Sequence, residues 1–195
     1  VLIAIHGRVR LALTLAVSLV LHPLLPTIAE AAISSSGDVL VDANLRVGNT
    51  LAGTRTVDGI GVVDGPFQFI TVGVEADGVG SYVVTNGGSA SSTGTTSIGR
   101  LGTGHLTISA GGVFSTTTLA GGNLIVGTEP GGNGTLSVTG VGTLLSVARQ
   151  PIVGNAGSGT ATFGGGAHGT APRLLVGISA TSGGVPFSGS GTVNI

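Results

Sequence analysis

Short apolar runs that end on glycine recur down the chain, and a few residues after each a second glycine opens an alternation of apolar and polar positions. The anchors are Leu45-Arg46-Val47-Gly48, Ile70-Thr71-Val72-Gly73, Thr96-Ser97-Ile98-Gly99, Ile125-Val126-Gly127, Ile152-Val153-Gly154 and Leu175-Val176-Gly177. Successive anchor glycines are 25, 26, 28, 27 and 23 residues apart. A period in this range predicts a solenoid, in which each repeat is one supersecondary unit covered by its neighbours.

The repeat after Gly127 shows how one coil is expected to fold. Leu124-Ile125-Val126 is a short apolar strand that Gly127 ends, and Glu129-Pro130-Gly131-Gly132-Asn133 is turn chemistry, with Pro setting φ and Gly or Asn accepting positive φ. Gly134-Thr135-Leu136-Ser137-Val138 alternates with period two, placing Leu136 and Val138 on one face and Thr135 and Ser137 on the other. Gly140 and Gly142 make a second corner before a third strand, Thr143-Leu144-Leu145-Ser146-Val147. Three short strands and three corners describe one coil of a β-helix.

Aligning the other repeats on this template gives columns. The inward positions are Tyr82, Leu106, Leu136, Ala161 and Val193, then Val84, Ile108, Val138, Phe163 and Ile195. The position between them reads Val83, Thr107, Ser137, Thr162 and Asn194. Like residues in successive coils are what parallel, in-register stacking produces, since a slip of one residue turns every apolar side chain outward. Gly87, Gly111 and Gly166 repeat the second corner. Six coils at about 4.8 Å each predict a rod on the order of 25–30 Å long. The ends depart from the pattern: Arg55 occupies an apolar slot in the first coil, and Ser179 to Ser190 interrupt the last. The last coil stops on an apolar strand with no polar cap, which reads as truncation and as an open hydrophobic edge.

Composition agrees with stacked strands. The 195 residues include 38 Gly, 8% charged and 3% aromatic residues, with no Cys, Met or Trp. Exposed helix faces normally need Glu, Lys and Arg, whereas outward strand positions are satisfied by Thr, Ser and Asn. The 41% apolar content falls in register with the repeat, which argues against disorder. A net charge of −1 and scattered arginines exclude electrostatic capture of nucleic acid. Without Cys there is no disulfide framework, thiolate metal site or thiol nucleophile.

The first residues read as an address. Arg8 and Arg10 precede the apolar stretch Leu11 to Leu21; Pro23 and Pro26 break it, and Ala29-Glu30-Ala31 has the small-x-small form of a signal-peptidase site. The apolar stretch is too short for a membrane anchor, which needs about 20 residues. The expected organisation is a signal peptide at 1–31, a linker or cap at 32–44 and the repeat region at 45–195. The segment after the leader carries five Arg against seven acids, a charge of −2, and no other segment is apolar enough to span a membrane.

The composite pattern of apolar-Val-Gly, turn, Gly-Thr-Leu-x-Val and glycine corner resembles the type V secretion (autotransporter passenger) and PEP-CTERM-associated repeats of bacterial surface proteins. Val126-Gly127 with Gly134-Thr135-Leu136-Ser137-Val138 carries the resemblance best, followed by Ser97-Ile98-Gly99 with Gly104-His105-Leu106-Thr107-Ile108 and Ile152-Val153-Gly154 with Gly159-Thr160-Ala161-Thr162-Phe163. It covers roughly Leu45 to Ile195. It implies an all-β, right-handed parallel β-helix, a secreted or outer-membrane cell-surface product, an adhesive role and no cofactor. The chain departs from the pattern in lacking both a C-terminal barrel with aromatic girdles and a sorting tail; Val185-Pro186-Phe187 is not that motif.

Candidate chemistry is sparse. Asp58 and Asp64 bracket the first corner, and Glu75 and Asp77 share the turn after Gly73; a pair of acids in a turn is ordinarily solvated, and glycoside chemistry needs two carboxylates across a cleft. Arg100 and His105 flank the third coil, with His105 in an outward slot, and His168 is expected at a loop tip; two separated histidines without a carboxylate are no metal site. Gly131-Gly132-Asn133-Gly134 resembles a calcium nonapeptide repeat, but Leu136 replaces the liganding Asp. No phosphate loop or nucleophile elbow occurs, and Asn133-Gly134-Thr135 matches a glycosylation acceptor only on a eukaryotic route. No catalytic, cofactor or metal residue is assigned. The expected function is a structural or adhesive rod with a host, matrix or cell-surface ligand and no nucleic-acid partner, extended by a neighbouring β-helix or a barrel outside this chain. The alternatives are a fragment of a β-helical carbohydrate-active enzyme, or a passive stalk.

Overall fold

Glycine sets the coil. In the computed structural model, which describes residues 31–118, 120–182 and 185–195, all six anchor glycines adopt positive φ, between 62° and 75°. At Gly127, where φ is 74°, a Cβ would also press on the Ser158–Gly159 backbone of the next coil. Each apolar run therefore ends in a left-handed residue that redirects the chain, and only glycine permits both the angle and the close approach.

The chain begins with β1 (Ala32–Gly37) and β2 (Val39–Val41), then runs through coils of three strands. The first is β3 (Leu45–Val47), β4 (Ala52–Asp58) and β5 (Val63–Phe67); the second is β6 (Ile70–Val72), β7 (Val79–Thr85) and β8 (Ser89–Ser92). The third is β9 (Thr96–Ile98), β10 (Thr103–Ser109) and β11 (Val113–Thr116), and the fourth is β12 (Leu124–Val126), β13 (Asn133–Thr139) and β14 (Leu144–Val147). The fifth is β15 (Pro151–Val153), β16 (Ser158–Gly164) and β17 (His168–Thr170). Then follow β18 (Leu175–Val176), the antiparallel pair β19 (Ser179–Ser182) and β20 (Val185–Ser188), and β21 (Ser190–Asn194). Five coils are complete. The sixth has β18 and β21, with the self-paired segment from Ser179 to Ser188 inserted between them; the expected six coils are thus five and a part.

Apart from the β19–β20 pair, these strands form two sheets of seven strands and one of five. Sheet A runs β1-β4-β7-β10-β13-β16-β21, sheet B β18-β15-β12-β9-β6-β3-β2 and sheet C β17-β14-β11-β8-β5. No described residue is helical. The class is a parallel β-solenoid.

The register is the one the columns predict. In sheet A, Gly53, Gly80, Gly104, Gly134, Gly159 and Gly191 pair in succession, and Tyr82, Leu106, Leu136, Ala161 and Val193 do the same. Tyr82, Leu106, Leu136 and Ala161 are buried, as are Val84, Ile108 and Val138. Phe163 is only partly buried, and Ile195 falls outside the paired register and is fully exposed, because no described strand covers that end of the column.

Sheet B contributes Leu45, Val47, Ile70, Val72, Leu124 and Val126 to the same core. Thr96 also points inward there, where its Oγ1 lies 2.9 Å from Ser92 Oγ, so a hydroxyl in the apolar column finds its partner inside. Residues 1–30 of the expected leader lie outside the described residues. No helix among the described residues is long and apolar enough to cross a membrane.

Candidate functional site

The structure keeps most sequence candidates apart. Glu75 and Asp77 are exposed in the turn between β6 and β7. Arg100 and Glu129 lie in successive copies of that turn, and Arg100 Nε donates to Glu129 Oε1 at 2.8 Å. Both side chains are about two-fifths exposed, so the pair adds at most about 1 kcal/mol. His105 faces outward on β10 between Ser81 and Thr135. His168 is the first residue of β17, paired with Leu144, and not a loop tip, because the glycine turn closes at Ala167 N–H to Gly164 O and the strand begins directly after it. Gly131 to Gly134 form the turn into β13, with Asn133 as an exposed strand residue. Among the described residues, no three His, Cys, Asp or Glu come together as a metal ligand set.

The cluster that sequence reasoning missed is inside the first coil. Arg55 does occupy an inward slot, paired with Tyr82, and is buried. Its Nε and Nη2 donate to Asp64 Oδ2 and Oδ1, both at 2.6 Å, a bidentate pair. Tyr82 Oη donates to Asp64 Oδ2 at 2.7 Å, and Arg55 Nη1 donates to Ser35 Oγ at 2.8 Å. Asp64 is therefore not a solvated corner residue: it is 3% exposed.

Two groups respond to this environment. The hydrogen bond to Asp64 raises the Arg55 pKa. Burial, and then the Asp64 charge, push the Tyr82 phenol well above its ordinary value. Tyr82 thus stays a donor, and its ring meets Phe114 edge-on at 6.3 Å. The signal in the sequence was Arg55 itself, since a guanidinium in a dry column needs a carboxylate.

Two surfaces remain. The outer face of sheet A carries rows that cross its strands: Thr54, Ser81, His105, Thr135, Thr160 and Thr192, then Thr56, Val83, Thr107, Ser137, Thr162 and Asn194. Neighbours are about 4.8 Å apart across the strands and about 6.6 Å apart along them. Neither row contains an acid, Lys or Arg. In a third row Thr85 Oγ1 and Ser109 Oγ are 3.1 Å apart. The second surface is at the end of the core near β17, β18 and β21, where a cavity of about 350 Å³ opens among Leu145, Val147, Val153, Phe163 and Val193.

The fold and these surfaces define a β-solenoid in which, among the described residues, the ion pairs outside the Arg55 cluster are the isolated Arg46–Asp42 and Arg100–Glu129. Compared with protein families, with characterised proteins and with solved structures, the chain matches none.

Proposed function

We propose that this chain is a structural or adhesive module of a bacterial surface, exported by the leader at residues 1–31 and without catalytic activity. The observation that carries the reading is the outer face of sheet A. Its rows present hydroxyl and methyl groups at the regular spacing of the strands, with no charge in the two central rows. Such a face binds by shape and by many weak hydrogen bonds spread over several coils, which suits an extended matrix or cell-surface polymer and not a single small substrate. The resemblance of the Gly-Thr-Leu-x-Val repeats to autotransporter passengers supports the same reading.

The test is adhesion of cells that display the full chain, against cells displaying Thr107→Arg with Ser137→Arg. Both side chains face outward, so circular dichroism should not change. Adhesion should fall, and in the parent it should vary little with salt because the face is uncharged. Undiminished adhesion by the double variant refutes the face as the contact surface. Absence of adhesion by the parent leaves a passive stalk. N-terminal sequencing of the exported product tests the leader, and should begin at Ala32.

A further inference from the structure

The pairings within the three large sheets run parallel except at one end. β1 lies antiparallel on β4, from Ala32 opposite Asp58 to Gly37 opposite Gly53, and β2 lies antiparallel on β3. An uncovered β4 would present the slanted donor and acceptor pattern that every other coil accepts in register, whereas an antiparallel strand presents a different one. The strap β1–β2 therefore interrupts the pattern. At the opposite end β21, β18 and β17 are last in their sheets among the described residues, and Val176, stacked on Val153, is 45% exposed.

The strap is tied to the interior through Ser35, which accepts from Arg55 Nη1. Arg55 is held by Asp64, and Asp64 by Tyr82. A buried ion pair adds little net stability compared with apolar residues of similar volume, and in several proteins its attested use is to fix one register.

We propose that the Arg55–Asp64–Tyr82 cluster locks β1 antiparallel over β4, and that the locked strap prevents the β21–β18 end of a second copy from stacking on β4 and β3. The occupant is a second copy because the columns would continue. β21 already meets β16 with Gly191 opposite Gly159 and Val193 opposite Ala161, and β4 carries Gly53 and Arg55 at the same positions of the register. Such a contact is head-to-tail and does not close, so release of the strap leads to open filaments.

The experiment uses the full chain and two variants. Arg55→Met with Asp64→Leu and Tyr82→Phe replaces the cluster by apolar groups of similar size; Ser35→Ala cuts only the tie. Amide hydrogen exchange is followed over residues 32–37 and 103–109, with sedimentation velocity over a concentration series. The parent should sediment as a protomer. In the triple variant exchange over 32–37 should quicken by about tenfold or more while 103–109 holds, and larger species should grow with concentration. Adding Val176→Asp, a side chain 45% exposed in the protomer and covered by the second copy in the proposed contact, should restore the protomer. Unchanged exchange over 32–37 overturns the lock, and faster exchange without assembly overturns the block. Assembly that survives Val176→Asp overturns the site of contact, as does a parent that assembles with 32–37 protected. If the triple variant does not fold, Ser35→Ala decides by the same readouts.

Discussion

Replacing Leu106 by alanine tests the columns most directly, because its neighbour in sequence, His105, points the other way. Leu106 is 0% exposed on β10 and lies between Tyr82 and Leu136 in adjacent coils. Truncating a buried leucine costs about 2–5 kcal/mol, the spread reflecting how far the surroundings collapse into the space. Around Leu106 collapse is restricted, since full backbone ladders to β7 and β13 hold both flanking coils in place. The expected cost is about 4 kcal/mol. Leu136 lines the open cavity and has the small Ala161 beyond it, so Leu136→Ala should cost less, about 2–3 kcal/mol. His105→Ala, on the exposed face, should stay within about 0.5 kcal/mol. Urea unfolding followed by circular dichroism measures all three, provided the slope with denaturant is unchanged. Equal midpoint shifts for His105→Ala and Leu106→Ala would refute the inward–outward assignment. A Leu136 cost equal to that of Leu106 would refute the argument from collapse.

Gly127→Ala should cost about 3 kcal/mol, because its φ of 74° is joined to a Cβ collision with the Ser158–Gly159 backbone. Gly142→Ala has a similar φ of 78° but its Cβ would meet nothing nearer than Gly111 Cα at 3.8 Å, so only the backbone term of about 1 kcal/mol remains; equal losses in thermal melts would contradict the steric half of the explanation. Tyr82 is the one tyrosine of the chain, so ultraviolet absorbance reports its ionisation alone. Its folded pKa is raised, so its contribution is complete below the unfolded value of about 10 and is lost as pH rises through the folded value. Phenolate absorbance should therefore appear only together with loss of β-structure, and a rise near pH 10 with the fold intact would refute the buried donor. Asp38 Oδ2 accepts from the backbone N–H groups of Thr50 and Leu51, at 2.7 and 3.0 Å, and these bonds lower its pKa. Its contribution is present above the unfolded value of about 4 and is lost as pH falls through the folded one. The stability gap between the parent and Asp38→Ala should close on acidification, and a gap that widens in acid would contradict that sign.

The repeating coils were legible because two periodicities coincide. An alternation of two places Leu106 and Ile108 inward, and a coil of about 26 residues places the next such pair over them, so one register satisfies both. The anchor glycines were legible for a related reason, since a left-handed residue is needed once per coil at the same place. Asp64 was not legible. It is nine residues from Arg55 and on a different sheet, and the register of β5 shifts between Asp64 and Phe67, so period-two counting fails where it would be needed. A linker or cap was expected at 32–44, but its antiparallel pairing was hidden because Ile33-Ser34-Ser35-Ser36 offers no apolar alternation. The antiparallel pair in the sixth coil was hidden because self-pairing of the inserted segment depends on backbone bonds that its composition does not announce.

Stacking occupies the inward positions and the corner glycines, so variation is confined to the outward rows and to those corners that need no glycine. The three corners differ in this respect. The corner from sheet A to sheet C has Gly87, Gly111, Gly142 and Gly166 at positive φ, a backbone conformation that disfavours side chains. The corner from sheet C to sheet B carries Arg149 and Arg173. The corner from sheet B to sheet A carries Glu75, Asp77, Arg100 and Glu129, and it is also where the chain inserts β19 and β20. In solenoids, insertions gather on the side that meets partners. That corner borders the hydroxyl rows of sheet A, so the uncharged face and the mainly acidic ridge form one continuous surface. A ligand that crosses both would pair neutral hydroxyls with the face and place any cationic groups along the ridge, while the sheet C side would stay free of it.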